Sequence, residues 1–109
     1  MNASKEKFRD FVLDQLAAFG PVEACAMFGG YGLYRGEVFF GILHKNRLYF
    51  KTDPAAPEST APYRERKMLP FRPSKKQPLK SYYEVPADVL EDPRELADWA
   101  ERAARCQEL

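Results

Sequence analysis

The stretch from Val22 to Lys51 leaves the chain few choices, because runs of apolar, β-branched and aromatic residues recur there with only short breaks between them. Parallel strands need a crossover of about a dozen residues or more, so breaks this short admit only antiparallel hairpins. Val22 to Met27 alternates weakly and is bounded by Phe28-Gly29-Gly30, which predicts a strand ending in a bulge or sharp turn. Gly32 to Tyr34 and Val38 to Leu43 flank Arg35-Gly36-Glu37, the composition of a tight hairpin. After the polar His44-Lys45-Asn46, an apolar alternation resumes from Arg47 to Lys51 through Leu48 and Phe50. These runs predict a meander of three antiparallel strands, with Val22 to Met27 as a fourth strand leading into it.

Helical spacing brackets this region. Phe8, Phe11, Val12, Leu16 and Phe19 recur three and four residues apart behind Ser4, a candidate cap, and Gly20-Pro21 stops the pattern. At the other end Asp92-Pro93-Arg94-Glu95 supplies an N-cap, a first-turn proline and a capping-box carboxylate, and Leu96, Trp99, Ala100 and Ala103 form the apolar stripe of a closing helix. Between them, Thr52 to Pro62 reads as a loop and Tyr63 to Met68 as a short helix. Pro70, Pro73 and Pro78 confine any strand there to short edge segments, and Lys80 to Val85 is the next strand. The fold class is α+β: two layers, an antiparallel sheet with the N-terminal and C-terminal helices packed on it.

At 109 residues the chain fits one domain, residues 1–109, able to bury roughly two thirds of its unfolded surface. Hydrophobic residues at 45% and charged residues at 30% place it among globular proteins, and 17 Lys plus Arg against 16 Asp plus Glu give no global drive toward nucleic acid. Cys25 and Cys106 are far apart and are expected as reduced thiols. The polar N-terminus lacks a signal peptide, and the longest apolar run, Val38 to Leu43, is far short of the roughly 20 residues that span a bilayer, so a cytoplasmic protein with no membrane partner is expected.

The run Met27-Phe28-Gly29-Gly30-Tyr31-Gly32-Leu33-Tyr34, then Val38-Phe39-Phe40-Gly41 and Arg47-Leu48-Tyr49-Phe50-Lys51-Thr52-Asp53, resembles the TfoX N-terminal domain family. Tyr82-Tyr83-Glu84-Val85-Pro86, Val89-Leu90-Glu91-Asp92-Pro93 and Leu96 with Trp99-Ala100 are similar to that family's closing strand and helix. The resemblance spans Phe8 to Ala104 and implies the same two-layer fold. It also implies a bacterial regulator of competence genes that works with a DNA-bound transcription activator. Full-length members carry a second, C-terminal domain, for which 109 residues leave no room, so the expectation is a stand-alone N-terminal domain.

Candidate chemistry is sparse. Met27, Phe28, Gly29, Gly30, Tyr31, Gly32 and Tyr34 form the distinctive motif and an interaction surface; its glycines could expose N–H groups to an anion, but such loops open helices and here a strand comes next. Tyr31, Tyr34, Phe39 and Tyr49 could stack bases, though alternating aromatics more often serve core and sheet surface. Arg64, Arg66, Lys67, Arg72, Lys75, Lys76 and Lys80 are the one basic concentration and a candidate polyanion site, diluted by Glu65 and Glu84. His44, the sole histidine, falls in a turn, and no nucleophile motif or metal-ligand spacing accompanies it. Small residues around Trp99 would let a second helix or subunit approach, so a homodimer through sheet edge or helix is expected as a secondary feature. The first reading is therefore a regulatory module that binds a protein partner, with no catalytic residue, cofactor or metal. A nucleic-acid accessory domain using Arg64 to Lys80 is the second, and a small ligand-binding or hydrolytic enzyme using His44 or a pocket beside Gly29-Gly30 is the third.

Overall fold

The computed structural model describes residues 2–27, 29–53, 55–71 and 79–108. The elements run α1 (Asn2–Gln15), β1 (Glu23–Met27), β2 (Gly30–Arg35), β3 (Val38–His44), β4 (Arg47–Lys51), α2 (Pro57–Glu65), β5 (Pro70–Phe71), β6 (Leu79–Glu84), α3 (Ala87–Leu90) and α4 (Pro93–Glu108). Among the described residues six strands make one sheet in the order β1-β2-β3-β4-β6-β5, every neighbouring pair antiparallel. The expected meander is thus present with its fourth strand, and the proline-flanked strand is a two-residue edge.

Tight turns carry the meander. Gly36 takes φ +63° at the first central position of the β2–β3 hairpin, while Lys45 and Asn46 both take positive φ between β3 and β4. Two successive left-handed residues match the twist of a two-residue hairpin. Opposite Leu33 and Tyr34, β3 contributes an extra residue: Leu33 pairs with Gly41 and Tyr34 with Phe39, so Phe40 bulges.

That bulge divides the apolar residues between two faces. Residues three apart in a regular strand point oppositely, yet Phe40 and Leu43 both belong to the large core with Leu33, Leu48, Phe50 and Val85. Val12, Leu16 and Phe19 from the N-terminal segment and Leu96, Trp99, Ala100, Ala103 and Ala104 of α4 cover this face. Ile42, Tyr49, Phe71 and Tyr82 form a second buried cluster, against which Phe39 packs. Removing a ring such as Phe40, fully buried, would cost about 3–5 kcal/mol, a large share of a typical domain's stability.

Several expectations need adjustment. α1 begins at Asn2, so Ser4 lies within it rather than at its cap, since Asn2-Ala3-Ser4 contains no helix breaker. Phe11 is 41% exposed, because the stripe that meets the sheet runs through Val12 and Leu16, about 100° around the helix from it. α2 starts at Pro57, inside the segment read as loop, because a proline at the first helical position is already preset and loses no bond. Pro62 sits inside the same helix. Asp92 Oδ1 accepts from the N–H groups of Arg94 and Glu95 at 3.1 and 3.3 Å, but its own N–H donates to Val89 O, so Asp92 caps α4 without a reciprocal box. Ala100, Ala103 and Ala104 of α4 are buried against the chain's own core.

Two local devices lock elements together. Arg35 Nη1 donates to Phe19 O at 3.1 Å and to Glu101 Oε1 at 2.8 Å, with the guanidinium 4.0 Å from the Phe19 ring centroid. One side chain of β2 thereby joins the end of the N-terminal segment to α4. The bond to Glu101 holds that carboxyl below the usual glutamate range. α2 closes with Lys67 N–H donating to Arg64 O and Met68 N–H to Tyr63 O, a Schellman pattern whose left-handed position is Lys67 at φ +61° rather than glycine.

Replacing Lys67 by Gly should raise stability by about 0.5–1 kcal/mol, read as a higher urea midpoint at unchanged slope. Because the folded carboxyl of Glu101 titrates below its unfolded range, its contribution is present above that range and is lost as pH falls through the folded value. Glu101→Gln should therefore cost up to about 1 kcal/mol at neutral pH, the exposed-pair scale, and the difference from the parent should vanish in acid.

Candidate functional site

The motif from Met27 to Tyr34 builds the β1–β2 hairpin; Phe28 lies outside the described residues. Gly29 takes φ +76°, as the turn requires. Gly30 is needed for a different reason: a Cβ there would stand 2.0 Å from Leu43 O, inside any allowed contact. The glycines lead into β2, so the loop lacks the helix N-terminus that phosphate-cradling loops use. Tyr31 packs at the margin of the core under Arg9, whose guanidinium lies 5.4 Å from the ring centroid. Gly32 leaves room on the opposite face for Met27 Sδ and the rings of Phe39 and Tyr34.

That opposite face carries an aromatic row. Tyr34 stacks on Phe39 with centroids 4.9 Å apart and planes 19° apart, and Phe39 meets Tyr82 at 5.8 Å. Lys51 Nζ sits 5.1 Å from the Tyr82 centroid. Tyr49 packs on Phe71 at 4.6 Å. Burial pushes the Tyr82 hydroxyl up to about 12 and raises Tyr49 as well, so both remain neutral hydroxyls. Tyr34 and Phe39 are only half-buried, which leaves two of the row's rings within reach of a partner.

The basic candidates are only partly gathered. Arg64, Arg66 and Lys67 are exposed together at the end of α2. Arg66 is engaged within the chain: Nη1 donates to Asp88 Oδ2, holding that carboxyl below its usual range, and its guanidinium lies 5.6 Å from the Trp99 centroid. Arg72, Lys75 and Lys76 lie outside the described residues, and Lys80 is placed only by its backbone in β6.

His44 ends β3, half-buried, its ring edge-on to Phe71 at 5.2 Å. It shares with Gly29 and Gly30 a shallow hollow of about 200 Å³, much of it open to solvent, also lined by Phe8 and Leu43. Among the described residues that lining holds no serine, cysteine or carboxylate beside His44. Among the described residues no group of three or more His, Cys, Asp and Glu is placed to hold a metal ion.

Sequence reasoning missed the cleft between the start of α2 and the end of α4. Lys51, Asp53, Ser59, Arg102, Arg105 and Cys106 converge there from three stretches of chain. Ser59 organises one wall, its Oγ accepting from Asp53 N–H at 2.8 Å and facing the carbonyls of Asp53 and Ala56 at 2.8 Å each. Burial first, and the Asp53 carboxylate next, push the Cys106 thiol up, so at neutral pH it is protonated and a poor nucleophile. Cys25 and Cys106 are both free thiols. Among the described residues no helix is long and apolar enough to cross a membrane.

An antiparallel six-stranded sheet, with helices from both ends of the chain on one face and a glycine-rich hairpin at its edge, defines a two-layer α+β domain. Residues 14–107 match the TfoX N-terminal domain model, and the chain belongs to that family. No curated protein of similar sequence matches it. The motif glycines should be intolerant for steric reasons: Gly30→Ala should lower stability by about 1–3 kcal/mol, read as a reduced urea midpoint.

Proposed function

We propose that the chain is a regulatory domain that acts by binding a protein partner in the bacterial cytoplasm, as a binding module rather than a catalyst. The observation that carries this reading is the sheet face on which no described helix packs, where the family-motif residue Tyr34 stacks on Phe39 and presents two half-buried rings. Aromatic rings held rigid by neighbours supply much of the energy at protein interfaces at little entropic cost. Membership of the TfoX N-terminal domain family supports a place in transcription regulation, including that of competence genes. The exposed Arg64 and Lys67 at the end of α2 support nucleic-acid contact as the second reading, weakened by the pairing of Arg66 with Asp88.

The test is capture from native lysate by the tagged chain, at low and high salt and with nuclease. A protein partner should survive both treatments, and retention should fall at least about tenfold with Tyr34→Ala plus Phe39→Ala in a variant whose circular dichroism matches the parent. Recovery of nucleic acid that disappears with salt, unaffected by the ring substitutions, would replace the first reading with the second.

A further inference from the structure

The two edges of the sheet are built differently. β5 is two residues long, contains Pro70, which has no N–H to offer, and its register with β6 is shifted between Pro70 and Phe71. These are recognised protections against pairing with another chain. β1 has none of them. Its five residues, Glu23-Ala24-Cys25-Ala26-Met27, contain no proline and no lysine, and all five pair in unbroken register with β2 from Glu23 opposite Tyr34 to Met27 opposite Gly30. Glu23, Cys25 and Ala26 are exposed, and among the described residues no strand pairs with the outer side of β1. An unbroken, uncovered strand of this kind holds a row of main-chain donors and acceptors directed away from its own sheet.

We propose that β1 is the pairing edge of a homodimer in which two copies of the chain join antiparallel about Cys25 and continue one sheet through both. The sequence of β1 is self-complementary about Cys25, which suits a second copy of the same strand, and its charge selects the direction. About a two-fold axis at Cys25, Ala24 faces the second copy's Ala26, and the strand's single charged residue, Glu23, stands at the far end of the pair from its twin, roughly 13 Å away. A parallel arrangement would set Glu23 directly against Glu23, which is unfavourable. The same axis, normal to the sheet, keeps the helices of both copies on one side. Ala100, Ala103 and Ala104 of α4, buried in the chain's own core, do not compete for this contact. A five-residue strand pair buries less than the roughly 1,600 Å² of a standard stable interface, so the dimer is reversible and depends on concentration.

The test compares the parent chain, Cys25→Thr and Cys25→Lys by sedimentation equilibrium under reducing conditions over a concentration series. Cys25 is exposed, so the monomer fold should be unchanged, as checked by thermal melts of all three. The parent and Cys25→Thr should dimerise as concentration rises, whereas opposed lysines should weaken dimerisation at least about threefold. In the Cys106→Ser background a short bis-maleimide should join Cys25 to Cys25 and yield a covalent dimer. A parent that stays monomeric to its solubility limit would overturn the proposal, as would a Cys25→Lys dimer as tight as the parent's or a dimer that Cys25 does not cross-link.

Discussion

The extra residue in β3 is the constraint on which the two-sided packing depends. A regular strand over Val38–His44 would send Phe40 and Leu43 to opposite faces, and one of them would leave the layer under α4. With Phe40 bulged opposite Leu33 and Tyr34, both enter that layer, while Phe39 and Ile42 turn to the opposite face. Gly41 is the local accommodation: a Cβ there would crowd Phe50 Cδ1 at 3.2 Å, Leu33 Cδ1 at 3.4 Å and Tyr49 O at 3.0 Å. Two apolar compartments are therefore separated by one sheet, and among the described residues the smaller one is closed by rings.

The same arrangement explains why the family motif occupies its position. Gly30 and Gly32 lie two residues apart on one strand for unrelated reasons, the first because Leu43 O passes beside it and the second because Met27, Tyr34 and Phe39 converge over it. Substituting either would disturb how β2 lies on β3. Arg35, at the end of β2, then ties that strand to Phe19 and Glu101 on the helix side, so the hairpin is fixed to both layers.

Much of this is legible in the sequence. Hairpin breaks of two or three residues forced an antiparallel meander, Asp92-Pro93 marked the start of α4, and the resemblance in Met27 to Tyr34 agreed with the family match. The bulge was hidden because Val38 to Leu43 is apolar almost throughout, and a continuous apolar run does not say which residue is extra. The onset of α2 was hidden because prolines and small residues read as loop, although Pro57 suits a helix start. The cleft around Cys106 was beyond reach for another reason: Lys51, Ser59 and Arg102 meet only after the crossover folds back, and no local spacing announces it.

The closure of the smaller compartment has a consequence for how the molecule opens. Phe71, 4% exposed, seals Tyr49 from β5, yet β5 is joined to the sheet by two residues at its margin. Phe71 also covers the edge of His44, and it takes no part in the layer between sheet and helices. A seal that rests on one two-residue strand is the kind of place where local opening costs less than unfolding.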